Sequence, residues 1–210
     1  MTGISVHSMD PRPADRFPYK RIVVVGVTGC GKSMLAEILA DRLGLEFIEL
    51  DALFWKPGWV ESNPDEFREK VKAAISAPAW ALAGNYSQVR ELVWPHTKAV
   101  IWLDYKFQLV FRRLWNRTWQ RWWKKETLWG SNYERLWPQF KIWSQESLFY
   151  WQVKSYGRHK RLYPQLFASP DYAYLKVFHF KTPGEMEEWL NSVNKPEISY
   201  GYDVNKDNRS

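Results

Sequence analysis

The chain is short of cysteine, of long apolar runs and, over one stretch, of acids. Cys30 is the one cysteine in 210 residues, so no intrachain disulfide can form. No apolar run approaches the ~20 residues that a membrane-spanning helix needs. No apolar stretch near Met1 has the form of a secretion signal. These absences predict a protein of the reducing cytoplasm with no membrane partner. His7, His96, His159 and His179 have no ligand spacing, so no structural metal is expected. There is no repeat, no low-complexity tract, and no helix-turn-helix, zinc or RNA-binding signature.

Acids are scarce between residues 105 and 165, where 13 Lys/Arg face 3 Asp/Glu. The net charge of +7 therefore belongs to that segment, and the rest of the chain is slightly acidic. The segment also holds many of the 14 tryptophans. Trp115, Trp119, Trp122 and Trp123 fall at helical spacing, which predicts a helix that packs aromatic rings. Aromatics interleaved with Arg and Lys also suit single-stranded nucleic acid, which keeps that partner open.

Elsewhere the pattern is that of an ordinary globular domain. Residues 1–20 carry prolines and little apolar content and read as a flexible arm. Arg21 to Val25 is a β-branched run fit for a buried parallel strand. Lys32 to Leu43 repeats apolar residues at helical spacing and ends at Gly44, a C-cap residue. Strands are further expected at Glu46–Leu50, Trp80–Ala83, Ala99–Leu103 and Tyr174–Phe180. Asn63-Pro64-Asp65-Glu66 and Thr182-Pro183-Gly184-Glu185 are helix-start boxes. Ser87–Trp94 reads as a short helix. A helical stretch from about Phe107 to Leu162, broken near Gly130, contains a lid over about 118–155. Residues 194–210 form a polar tail. Alternating strands and helices predict an α/β fold with a five-stranded parallel sheet, in a single domain over 21–193. Ligands on such sheets sit at the carboxyl ends of the strands.

Gly26-Val27-Thr28-Gly29-Cys30-Gly31-Lys32-Ser33 matches G-x-x-x-x-G-K-[ST] in full, between a predicted strand and a predicted helix. Glycines allow a tight turn that aims N–H groups at phosphate oxygens, and the helix adds its positive end. Lys32 is expected to reach the β- and γ-phosphates of ATP, and Ser33 to hold Mg²⁺. Cys30 stands at the helix start, a position that favours a thiolate, although a small residue that simply fits is the plainer reading. At the predicted strand ends, Asp51 is placed to orient an acceptor hydroxyl or to hold Mg²⁺ through water, with Glu49 two residues earlier. Trp55 and Trp59 are candidate walls of an acceptor pocket. Gly84 allows close approach, and Asn85 and Tyr86 offer hydrogen bonds.

With Leu50-Asp51-Ala52-Leu53-Phe54-Trp55, Gly84-Asn85-Tyr86 and Arg113-Leu114-Trp115-Asn116-Arg117, the loop resembles the P-loop kinases of the nucleoside-monophosphate-kinase-like class. Within that class the chain is similar to the bacterial adenylate-kinase-related, or DNA topology modulation, proteins. The resemblance runs from about Arg21 to Leu190. It implies a three-layer P-loop NTPase fold with a helical lid insertion, and phosphoryl transfer from ATP to a nucleoside monophosphate or a small hydroxylated metabolite. The runner-up is an ATP-binding regulatory protein that contacts nucleic acid through 105–165. By resemblance, Arg113 and Arg117 contact ATP at the base of the lid. Arg158 and Arg161 lie where similar kinases supply arginines to the transferred phosphoryl group. Thr182 and Pro183 lie in the region that often borders adenine. The look-alikes carry Asp before Gly84, where this chain has Ala83, and that Asp helps to hold Mg²⁺. Asp104, which ends a Walker-B-like run from Val100, is a candidate substitute.

Overall fold

In a computed structural model of the chain, residues 17–124, 127–128, 132–133 and 148–193 are described. The central element is β1 (Arg21–Gly26), whose five residues after Arg21 are all buried. It lies between β5 (Trp80–Ala83) and β6 (Ala99–Leu103). With β2 (Glu46–Glu49) and β9 (Lys176–Phe180) they form a parallel five-stranded sheet in the order β2-β5-β1-β6-β9. β1, β5 and β6 are near-continuous apolar runs because both of their faces are covered. One face meets α1 (Lys32–Leu43) and α7 (Pro183–Ser192). The other meets α3 (Pro64–Ala74), α4 (Arg90–Val93) and α6 (Leu148–Ala168). Together this is the three-layer P-loop NTPase fold. Within α6, Gln152, His159 and Tyr163 share the buried face, as their helical spacing requires.

The expected helix boundaries at Lys32, Leu43 and Pro64 hold, because the caps are local chemistry. Gly44 takes the left-handed C-cap conformation at φ 64°. The Asn63 side chain accepts from the Asp65 N–H, and Thr182 and Glu185 complete a reciprocal capping box.

Several expectations need correction. The second strand stops at Glu49, and Leu50 opens a five-residue helix, α2 (Leu50–Phe54). Asp51 therefore sits in the first turn of α2, not at a strand end. Leu50 is buried beneath Gly84, and this contact draws the chain into the helix. A small hairpin, β3 (Trp55–Lys56) and β4 (Val60–Glu61), follows, with Trp59 in the left-handed region at φ 62°. The stretch from Ser87 is a relay of a 3₁₀ turn, α4 and a second 3₁₀ turn ending at His96. The last strand starts at Lys176, because Pro170–Tyr172 forms a 3₁₀ turn just before it.

Between β6 and β9 the chain forms α5 (Phe107–Lys124), a two-residue strand pair β7 (Thr127–Leu128) and β8 (Asn132–Tyr133), and then α6. The break expected near Gly130 lies outside the described residues. So do residues 1–16 and 194–210. Phe17 and Tyr19, at the end of the expected arm, pack with Phe178, and Phe17 also meets Trp189. No helix among the described residues is long and apolar enough to cross a membrane.

Candidate active site

β1 delivers the chain to the carboxyl edge of the sheet between two strands, and the loop from Gly26 to Ser33 turns there into α1. Three of its glycines have φ values that L side chains rarely adopt: Gly26 at 150°, Gly29 at 83° and Gly31 at 99°. Space restricts two of them as well. A Cβ on Gly26 would lie 2.7 Å from both Cys30 Sγ and the Leu103 carbonyl. One on Gly29 would lie 2.8 Å from the Val110 carbonyl and 3.1 Å from Leu114 Cβ. The start of α5 is thus packed directly on the phosphate loop. Lys32 Nζ donates to the Val27 carbonyl (3.2 Å), which holds the ammonium over the loop.

Ser33 is joined to an acid. Its Oγ donates to Glu49 Oε1 at 2.6 Å. Glu49 is the in-register partner of Ala83 on the neighbouring strand. Paired residues of adjacent strands present their side chains to the same face. The face at Ala83 therefore has a carboxylate one strand over, at Glu49. Asp51 is engaged differently: Tyr86 Oη donates to Asp51 Oδ1 at 2.6 Å. Tyr86 is wedged among Phe54 and Phe67, with ring centroids 4.9 and 5.2 Å away. Burial, and then the Asp51 charge, push its phenol well above the usual range, so it stays a donor. Gly84 is required at φ 140°, because a Cβ would lie 2.8 Å from Leu50 Cβ. Trp55 meets Phe54 and Trp59 edge-on, so it is at least partly a packing residue.

Asn85 joins this edge to α6. Its Nδ2 donates to His159 Nε2 (3.2 Å), which leaves the ring proton on Nδ1, buried and without a hydrogen-bond partner among the described residues. Burial, then the charges of Arg158, Lys32 and Arg90, push His159 down to about 4. Arg158, Lys32 and Arg90 therefore converge on one neutral ring. Arg90 also lies over the Trp94 ring at 5.3 Å, and it lines a small cleft with Gly84, Asn85, Tyr86 and Tyr163. Arg90, His159 and Tyr163 carried no motif signal. Only the return of α6 across the sheet brings them to the strand ends.

The other arginines are sorted by the helices that carry them. Arg117 acts electrostatically on Cys30, so it lies near the phosphate loop. Arg113 lies over the Tyr105 ring at 5.7 Å. Arg161 is nine positions from buried Gln152, two and a half helical turns, so it is on the outer face of α6, away from the cleft.

Contacts bear on four further expectations. Asp104 is engaged by two partners, Lys160 (3.2 Å) and His179 (3.2 Å), and His179 stacks on Trp102 at 4.0 Å. Its carboxylate ties β6 to α6 and β9. Cys30 is 1% exposed, and burial raises its thiol above the usual value despite the charge of Lys32, so no thiolate is favoured. Thr182 and Pro183 cap α7 at the carboxyl end of β9. Trp119, Trp122 and Trp123 pack ring to ring along α5, with centroids 5.6 and 6.3 Å apart, while they and Trp115 stay 42 to 73% exposed. The buried face of α5 is made by Val110, Leu114 and Thr118 instead. Among the described residues no group of three or more His, Cys, Asp or Glu is placed to hold a metal.

No curated protein matches the chain in sequence. Among solved structures it is similar to a gluconokinase from Sinorhizobium meliloti 1021, with 17% identity, 85% of this chain and 91% of that one covered, and a TM-score of 0.47. It is also similar to a shikimate kinase from Acinetobacter baumannii in complex with shikimate (18% identity, 82% and 89% covered, TM-score 0.47). A sugar kinase from Janibacter sp. HTCC2649 matches with 21% identity over 84% and 95%, at a TM-score of 0.44. Residues 22–104 match the ATPase family associated with various cellular activities (AAA), a span that contains the phosphate loop, Glu49 and Gly84-Asn85-Tyr86.

Proposed function

We propose that the protein transfers a phosphoryl group from ATP to a small-molecule acceptor bound between Asp51 and Arg90. The carrying observation is the convergence of two strand ends beside the phosphate loop. Glu49 and Asp51 follow β2, and Asn85, Tyr86 and Arg90 follow β5, with Tyr86 bound to Asp51 and Asn85 bound to His159 of α6. Loss of the Asp at position 83 does not remove the metal acid from this reading, because Glu49 faces the same way and already touches Ser33. Ser33 and Glu49 suit Mg²⁺, the one directly and the other through water; the ion would neutralise charge on the β- and γ-phosphates. Lys32, Arg158 and Arg117 are the cations assigned to the transferred group. Phosphoryl transfer rests on positioning and positive charge more than on covalent chemistry, so these groups would supply most of the catalysis. Asp51, held by Tyr86, aligns the acceptor hydroxyl. Arg113, Thr182 and Pro183 border the nucleotide, and Trp55 borders the acceptor. Nucleoside monophosphates and small hydroxylated acids are the acceptor classes to test first, since both offer an anion to Arg90.

The test is a pair of measurements on purified protein. Titration with a fluorescent ATP analogue should show Lys32→Ala binding at least tenfold more weakly while remaining folded. A transfer screen with ATP against both acceptor classes should then find turnover that Lys32→Ala lacks. Equal affinity in a folded variant defeats the nucleotide assignment. Tight ATP binding with no transfer to any acceptor defeats the kinase assignment alone.

A further inference from the structure

The opposite edge of the sheet, where the strands begin, carries an open groove of ≈ 600 Å³ lined by Tyr19, Lys20, Arg21, Lys98, Tyr174 and Lys176 together with Pro18 and Pro78. It is far from the phosphate loop by construction, since parallel strands put their two ends at opposite edges. Its cations are fixed by the backbone. The Lys98 N–H donates to the Arg21 carbonyl (2.9 Å) and the Lys176 N–H to the Lys98 carbonyl (3.1 Å). Arg21 and Lys98 therefore stand side by side across β1 and β6, at the ~4.8 Å spacing of neighbouring strands, and Lys176, in register with Ala99 on β9, lies one residue further along the same edge. Lys20 adjoins Arg21, and its carbonyl accepts from the Trp80 N–H (2.7 Å).

Like charges held side by side repel, and a fold normally interleaves acids among them. The exposed cations of α3 obey this: Lys70 and Lys72 both pair with acids of their own helix. Among the described residues no carboxylate pairs with Lys20, Arg21, Lys98 or Lys176, and no acid lines the groove. The aromatic wall is rigid as well. Tyr174 Oη donates to the Trp94 carbonyl (2.9 Å), yet 49% of the residue stays exposed. A fixed, half-exposed ring beside a row of unpaired ammonium groups offers a stacking surface next to phosphate contacts.

We infer that this groove is a second binding site, separate from the active site, for a nucleotide unit: a planar base against Tyr174, with phosphate on Lys20, Lys98 and Lys176. The unit can be a free mononucleotide or part of a single strand. The groove's size is within the range of small-ligand sites.

The experiment uses the full chain with the phosphate loop filled by saturating ATP and Mg²⁺. Binding of AMP and of a fluorescent dT octamer is measured by titration for wild type, the triple variant Lys20→Gln/Lys98→Gln/Lys176→Gln, Lys98→Gln alone and Tyr174→Ser. The triple variant should bind at least tenfold more weakly, with Lys98→Gln intermediate. Tyr174→Ser should lose about tenfold at constant salt, the scale of one stacked base. For the octamer, the dependence of log K on log salt should flatten by roughly 2, at about 0.7 per lost phosphate contact on a single strand. Affinity for AMP that falls in the triple variant identifies the free nucleotide as the source, AMP binding unchanged in that variant belongs to the acceptor site and overturns this source, and affinity for the octamer alone identifies a strand. Octamer binding that is unchanged in the triple variant would place it on the basic 105–165 stretch and overturn the inference. So would full retention of affinity in Tyr174→Ser, or no binding of either probe by wild type.

Discussion

Ser33 and Glu49 are joined by a 2.6 Å hydrogen bond in which the phosphate-loop hydroxyl donates to the carboxylate. Glu49 sits across the β2–β5 ladder from Ala83. The two facts together turn a missing acid into a displaced one. Glu49→Gln should raise the Mg²⁺ concentration needed for half-maximal ATP binding by about 10-fold or more, the scale seen when a group outside the direct ligands of a metal is lost. Metal titration at fixed ATP reads this directly. Adding Ala83→Asp to the Glu49→Gln variant should restore part of the loss. An Mg²⁺ dependence identical to wild type would remove Glu49 from the metal site.

Asp104 gives the contrasting case. Its carboxylate holds Lys160 on α6 and His179 on β9. Asp104→Asn should therefore act on stability and leave the Mg²⁺ dependence of ATP binding unaltered. Removing one partner of a half-buried ion network should cost roughly 1–3 kcal/mol. Urea denaturation and the same metal titration test the two halves of this statement separately.

The sequence made the phosphate loop and the element order readable, because both rest on local chemistry. Gly26, Gly29 and Gly31 are needed for their backbone angles, and Gly44, Asn63 and Thr182 cap their helices through neighbours within four residues. Some of the misreadings concern contacts between distant segments. Asp51 reads as a strand end because Glu46 to Leu50 alternates suitably. The helix that displaces it is stabilised by Leu50 packing under Gly84, 34 residues away. Arg158 and Arg161 both lie off the face of α6 that meets the sheet, which is fixed by Gln152, His159 and Tyr163, and Arg158 adjoins His159 in the chain. Arg90 and His159 gain meaning only from each other and from Asn85.

His159 makes the stability of the fold depend on pH in a predictable direction. Its folded-state pKa, about 4, lies below the usual 6.5. The unfolded chain therefore binds a proton that the folded protein refuses, and this contribution is full above pH 6.5 and lost as pH falls towards 4. A gap of that size corresponds to about 3 kcal/mol at most. Arg158, Lys32 and Arg90 are the charged groups that act on the ring. Urea midpoints of wild type and His159→Asn, compared between pH 7 and pH 4.5, should diverge, with wild type losing more on acidification. Parallel curves would mean that His159 is not held neutral. Filling the cleft with ATP should make the ring easier to protonate, because phosphate offsets the three cations.

Asp51 is the residue on which the proposed chemistry depends most. It projects from the first turn of α2, and Tyr86 Oη binds one of its oxygens. Tyr86 in turn is fixed by Phe54 and Phe67, so the carboxylate has little freedom to move. In the proposed reaction a fixed acid can align an acceptor hydroxyl and take up its proton, and alignment of this kind contributes several kcal/mol to a barrier. Asp51→Asn keeps the shape and the hydrogen bond from Tyr86 but removes the charge. It should leave ATP affinity within a few-fold of wild type and lower transfer by roughly 10²-fold or more. Tyr86→Phe keeps the carboxylate and frees it to rotate, so its loss should be smaller and should fall on kcat rather than on the KM for ATP. Single-turnover rates with the acceptor found in the screen separate these cases. Equal losses in both variants would assign the effect to packing around Phe54, whereas undiminished transfer by Asp51→Asn would leave Glu49 as the one acid of the site.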